Sequence, residues 1–282
     1  MRKSNLSLLP VFLWLSLFLI LPMLMVVGIS FMDRDELGNV VYHFNLDSYA
    51  TFFDPLYLGI YWDTIVLSVV TTAICLLLSY PLAYYIANAG PRMQTWGLVL
   101  ITIPFWINFL IRTYAWVLLL RTQGVVNSLL LDLGFIHEPL QMLYTKGAVL
   151  LGMVYTFIPF MVLPIYVALE QMDKKLLEAA SDLGATSWKS FWHITLPQTK
   201  SGVMTGAVLV YVSTTGMFVV TDILGGAKSA MISNIIQSQF LGARNWPFGS
   251  ALSVIFVITS LIMIALFNRA MTSRHLKVKE ES

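Results

Sequence analysis

The sequence predicts an all-α membrane protein: six transmembrane helices with both termini on the cytoplasmic side. Three observations lead there. First, 57% of the 282 residues are hydrophobic and only 11% charged, and mean hydropathy is +0.76, whereas soluble domains carry about 25% charged residues. Second, six apolar runs, about 8–31, 62–88, 95–120, 148–169, 201–222 and 249–270, match the roughly 20 residues a helix needs to cross a bilayer. They are continuous rather than alternating, which disfavours a β-barrel. Third, with the N-terminus inside, eleven Lys and Arg fall inside and five outside, with Arg112 within a span, the asymmetry of cytoplasmic loops.

Taken in order, the basic start and apolar run of 8–31 resemble a signal peptide, but the run exceeds the roughly 7–15 residues of a signal core and no small-x-small cleavage site follows. It reads as a retained helix. The loop from residue 32 to 61 carries Asp33, Asp35, Glu36, Asp47 and Asp54 against Arg34 alone. Either it merely lacks a reason to be basic, or it forms a negative mouth that concentrates a cation. Pro22, Pro81, Pro104, Pro159 and Pro164 predict kinks that neighbouring helices can satisfy. Gly202 and Gly206 let another helix approach the fifth span closely. Arg112 is the clearest ionisable group within a span. It either snorkels outward or forms an intramembrane ion pair with a carboxylate such as Asp222. The lone Cys75 excludes an intrachain disulfide, and a net charge of +2 without a basic stripe excludes nucleic acid.

The segment "EAASDLGATSWKSFWHITLP", 178–197, is polar, yet lies between two spans on the cytoplasmic side. Asp173 is a candidate N-cap, and Leu176, Leu177, Ala180 and Leu183 form an apolar stripe. Gly184 stands where a helix closes in a left-handed conformation, Thr186 can cap a second short helix, and Pro197 suits the first turn of the next. Trp188, Phe191 and Trp192 cluster on one side. The residues leave three readings open: an amphipathic segment on the membrane surface, a loop packed under its own bundle, or a docking knob for a cytoplasmic protein.

Glu178, Ala179, Ala180, Gly184, Ile194, Leu196 and Pro197 match EAA-x3-G-x9-I-x-L-P without a gap. This resembles the EAA loop of type I ABC importer permeases, which have the MetI-like fold. The resemblance implies a five-helix core at 62–270, an extra N-terminal helix and acidic loop at 1–61, and a cytoplasmic tail at 271–282. It implies that the loop 173–197, with Glu178, Ala179, Ala180, Gly184, Trp188, Ile194, Leu196 and Pro197, couples to an ATP-binding subunit. The implied setting is the bacterial inner membrane, in contact with lipid, beside two copies of that ATPase, a second homologous permease and an external binding protein. "FFDPLY", "IPFWINFLIRTYAW", "TDILGGAKSAMISNIIQSQF" and "NWPFG" narrow the resemblance to bacterial spermidine/putrescine permeases. Their "DLLGG"-like signature reads "DILGG" at Asp222 to Gly226.

A polyamine path wants carboxylates and aromatic faces, each face attracting a cation by about 0.5–2 kcal/mol. Trp106, Asn108, Tyr114, Tyr211, Phe218 and Asp222 are the candidates. "GGAKS" at 225–229 fails the phosphate-loop pattern, because Ala227 stands where the second glycine belongs. His43, His137, His193 and His275 are dispersed. The expectation is therefore a non-enzymatic subunit that binds no cofactor, with ATP and Mg held by the partner. Two alternatives remain: the same machine moving ferric iron or an anion, or a stand-alone secondary transporter, expected to show inverted repeats with broken helices.

Overall fold

The computed structural model describes residues 10–11 and 13–280. Almost every element is helical: α1 (Leu13–Ile29), α2 (Asp47–Phe52), α3 (Pro55–Asn88), α4 (Pro91–Trp106), α5 (Phe109–Leu120), α6 (Val125–Asp132), α7 (Lys146–Glu170), α8 (Lys175–Asp182), α9 (Ser187–Ser190), α10 (Lys200–Thr215), α11 (Ile232–Leu241) and α12 (Trp246–Glu280). The exception is a hairpin in the acidic loop, β1 (Asp33–Arg34) against β2 (Val40–Val41), with Asp33 opposite Val41. Among the described residues four helical segments are long and apolar enough to cross a membrane: Pro55–Asn88, Phe109–Asp132, Lys146–Glu170 and Trp246–Phe267.

Two of the expected spans are interrupted. The run 95–120 breaks at Ile107, which is extended, and Asn108, which is non-helical at φ −53° and ψ 131°. Pro104 has no N–H to donate back to Leu100, and the Asn108 side chain takes the Leu110 N–H at 2.9 Å instead of leaving it to the helix. The run 201–222 ends its regular helix at Thr215; Gly216 to Phe218 are non-helical, and the chain rewinds into a wide π turn at Thr221–Gly225.

The chain divides into two compact units, one of residues up to Tyr61 with Ile232–Ala265, the other of Trp62–Met231 with the chain from Leu266. In the first, Phe52, Ile232, Phe248 and Leu252 form a small core joined by Tyr57 and Tyr61. The Tyr61 hydroxyl donates to Thr259. In the hairpin turn, the Asn39 backbone N–H and side-chain amide bond the Asp35 carboxylate at 2.7 and 3.0 Å.

In the second unit α7 is the central strut, with 61% of its apolar window buried. Thr145 caps it, accepting the Ala148 N–H at 3.2 Å. Val149, Met153, Phe157, Met161, Val162 and Ile165 are its buried face. From α3, Cys75 Sγ approaches Val154 O at 3.8 Å and Ser79 Oγ donates to Ile158 O at 3.4 Å. α10 lies against α7 backbone to backbone. A Cβ on Gly202 would stand 2.5 Å from Pro164 O and 2.6 Å from Ala168 Cβ, and one on Gly206 2.7 Å from Met161 Sδ. The glycine pair thus serves contact within the chain.

Candidate functional site

The polar segment between α7 and α10 is built from local turn chemistry. Asp173 Oδ1 accepts the Lys175 N–H at 3.0 Å, one residue before the N-cap at Lys174, so α8 opens as its sequence suggests but one residue later. α8 closes in a Schellman turn: Ala185 N–H donates to Ala180 O and Gly184 N–H to Ser181 O, both at 2.9 Å, with Gly184 at φ +78°. Thr186 Oγ1 accepts from Lys189 N–H at 3.4 Å and opens α9. A π turn at Phe191–Thr195 and a short turn at Leu196–Gln198, with Pro197 in its first positions, lead into α10.

This segment has two faces. Ala180 and Thr195 are buried, and Leu177, Phe191, Ile194 and Leu196 half-buried. The Phe191 ring meets Tyr80 and Tyr84 of α3 edge-on, at centroid distances of 5.6 and 6.1 Å, and the Tyr80 hydroxyl bonds Thr199 Oγ1 at 2.8 Å. Outward stand Glu178, Ala179, Gly184 and Pro197, together with Leu183 at 89%, Trp188 at 70% and Trp192 at 48% exposure. The predicted apolar stripe of α8 is therefore split. Leu177 and Ala180 turn in, while Leu176 and Leu183 turn out, Leu183 because the helix has already ended there. Likewise the three aromatics separate into one anchor, Phe191, and two projecting tryptophans whose rings touch at 5.8 Å.

Among the polar residues of the spans, Trp106 is the exposed last residue of α4 and Asn108 caps α5. Tyr114 is exposed on α5, which packs against Thr221–Gly225 and so brings α5 beside Asp222, also exposed. Phe218 follows the break in the fifth run and is half-buried. Tyr211 is set apart: it is buried, its ring 6.2 Å from that of Phe267. Arg112 does not pair with Asp222. Its guanidinium carbon lies 5.8 Å from the Tyr155 ring centroid, and its Nε and Nη1 are buried without an acceptor. An ion pair does form between Lys146 and Asp63 at 2.7 Å, with both side chains more than half exposed.

Two supports had no signature in the sequence. The buried Asn127 amide donates to Thr122 O at 3.1 Å and Leu140 O at 2.8 Å, while its Oδ1 accepts the Leu140 N–H at 2.9 Å. Tyr144, at φ +60°, donates its N–H to Leu224 O at 2.9 Å. It crowds Gly226, where φ is +56° and a Cβ would meet the tyrosine ring at 3.0 Å. The "DILGG" turn is thus a backbone device that two adjacent glycines permit. Among the described residues no group of three His, Cys, Asp or Glu is placed to hold a metal.

The exposed knob follows α7, a helix long and apolar enough to cross a membrane. The model of the binding-protein-dependent transport system inner membrane component matches residues 79–277. The chain belongs to that family. This inner-membrane permease is 40% identical over 271 residues to the spermidine/putrescine transport system permease protein PotB of Haemophilus influenzae, covering 96% of this chain and 95% of the relative. It is 41% identical over 268 residues to the protein of that name from Escherichia coli K12, covering 95% and 98%. A bacterial alginate ABC transporter, solved in complex with an alginate pentasaccharide-bound periplasmic protein, shares the fold: TM-score 0.74, 20% identity, 95% of this permease and 93% of that chain. The permease is therefore a multi-pass inner-membrane protein with an ABC-importer permease fold.

Proposed function

We propose that the chain is the membrane permease of an ATP-driven importer of spermidine and putrescine. The observation that carries this reading is the identity of 40–41% held over nearly the whole chain to permeases named for those solutes. In this reading six spans cross the bilayer with both ends inside: α4 with α5 make the third, α10 with the turn at Thr221–Gly225 the fifth. Of two copies of an ATP-binding subunit one grips 173–197, this chain and a second homologous permease form the path, and an external polyamine-binding protein delivers the solute. The chain performs no catalysis and holds no cofactor; ATP and Mg belong to the ATPase.

Within the knob, Leu183, Trp188 and Trp192 supply the apolar anchors that interface cores favour, with Glu178, Ala179, Gly184 and Pro197 around them. Ala180, Ile194 and Leu196 hold the knob from beneath. The path runs past the two backbone breaks. Non-helical backbone at membrane depth is tolerated only inside protein or along a water-filled cavity, and the breaks carry Asn108 and Phe218, next to Trp106, Tyr114 and Asp222. Tyr211 would have to leave Phe267 to join them.

The test is reconstitution with the ATPase, the second permease and the binding protein. Spermidine-loaded binding protein is expected to stimulate ATP hydrolysis; stimulation by a ferric or anionic solute instead would overturn the substrate assignment. Asp222→Asn should weaken spermidine uptake about tenfold, the low end for a hydrogen bond to a charged group, with assembly unchanged. Unaltered uptake kinetics would remove Asp222 from the path.

A further inference from the structure

Lys146 and Asp63 form an ion pair between α7 and α3, Nζ to Oδ2 at 2.7 Å. Lys146 is the first residue of α7. Asp63 lies eight residues into α3, about 12 Å from its start. With 34 residues α3 is about 51 Å long, about 20 Å more than the hydrocarbon layer needs. On the proposed orientation the pair therefore stands at the outer edge of the membrane, and its side chains are open to solvent, 64% and 54% exposed. A cation gains nothing from the positive N-terminal end of a helix dipole, and an exposed ion pair contributes little to stability. The bond is thus one that an arriving cation can displace.

The pair adjoins the turn that carries Asp222. Two residues before Lys146, Tyr144 donates its N–H to Leu224 O at 2.9 Å. One helical turn after it, Val149 packs on Gly225, where a Cβ would stand 2.6 Å from Val149 Cγ2. A lysine side chain is a four-carbon stem ending in an ammonium, and putrescine is that stem with an ammonium at each end. Lys146 therefore displays, within the chain itself, how Asp63 grips the group that a polyamine presents. Asp222 follows on the adjoining turn, so a solute with several ammoniums meets carboxylates in succession. We infer that Asp63 is an ammonium-binding residue at the mouth of the path and that Lys146 is its resident competitor, which gives way to a polyamine end. Such a competitor keeps capture weak enough for release. This rests on the polyamine reading above.

The test reads the sign of two changes. Radiolabelled spermidine is titrated onto the purified complex of both permeases and the ATP-binding subunits, with the external binding protein left out. Lys146→Met removes the competing charge, so the dissociation constant should fall about threefold, whereas Asp63→Asn should raise it about fivefold, both within the range of an exposed charge pair. Lys146→Arg keeps the pair and should bind as the wild type does. A pair that merely ties α3 to α7 would weaken binding in both variants and lower their melting temperatures together. Shifts in the same direction, or none, overturn the inference. Should Asp63→Asn fail to assemble, Lys146→Met decides alone; a Lys146→Met that fails to assemble marks the pair as a strut and overturns it. A wild-type complex that moves spermidine yet retains none in the titration overturns it as well. A wild-type complex that moves another solute and neither binds nor moves spermidine removes the polyamine reading, and the occupant of Asp63 with it.

Discussion

Gly184 and Asn127 show two ways a single residue can matter. At Gly184 a Cβ would meet nothing within 4 Å, but φ is +78°, so a side chain costs about 1–2 kcal/mol of local conformation and leaves the bundle untouched. Gly184→Trp is expected to assemble at wild-type yield and to abolish uptake, because its bulk would stand on the proposed docking face; normal uptake would contradict the proposed coupling role. Asn127 is the reverse, wholly internal. Asn127→Leu orphans the Leu140 N–H and backbone carbonyls, at about 1–3 kcal/mol for each buried group, so the purified protein should melt several degrees lower or fail to accumulate. Gly184, Thr186 and Pro197 could be read from sequence because caps and turns are decided by adjacent residues. Asn127 could not, since its partner Leu140 lies 13 residues away across an irregular loop. Arg112 was visible as an intramembrane charge, but whether Asp222 would reach it depended on side-chain placement, which sequence spacing does not contain.

Among elements, the α7–α10 contact is the most demanding of small residues. Gly202→Val would drive methyl groups into Pro164 O and Ala168, and overpacking of this kind costs about 1–3 kcal/mol or more. Thermal melting should fall accordingly, and more than for Gly59→Ala, where a Cβ meets open space. The outer hairpin offers a pH-dependent counterpart. Its Asp35 carboxyl is held below the ordinary value of 3.8, first by the Asn39 side-chain amide and then by its backbone N–H. A lowered folded value means the turn is fully stabilised above the ordinary carboxylate value and loosens as pH falls through the folded one. Protease nicking of the hairpin should therefore rise only under strongly acid conditions. The apolar runs marked where helices lie but not where two of them break. Hydropathy does not register a lost N–H at Pro104 or a side-chain cap at Asn108, and Gly216 alone does not fix a stop.

For the molecule as a whole, burial is uneven. α7 is the buried strut, whereas only 17% of the apolar window of Trp246–Phe267 is buried and α1 has no buried residue from Ser16 to Ile29. The six-span arrangement is checked by cysteine labelling: Glu36→Cys should react with an impermeant maleimide from outside, Leu183→Cys only in inverted vesicles, and the fully buried Cys75 from neither side. Broken helices also occur in secondary transporters, so it is family membership, not the breaks, that separates the two mechanisms. The knob finally has a mechanical meaning through Phe191, wedged against Tyr80 and Tyr84 of α3 while the chain on its other side continues into α10. On the proposed coupling, a pull on the tryptophans would be split into torque on two levers at once. Trimming that wedge with Phe191→Ala should let the motor keep turning over ATP while the crank slips and spermidine stays outside.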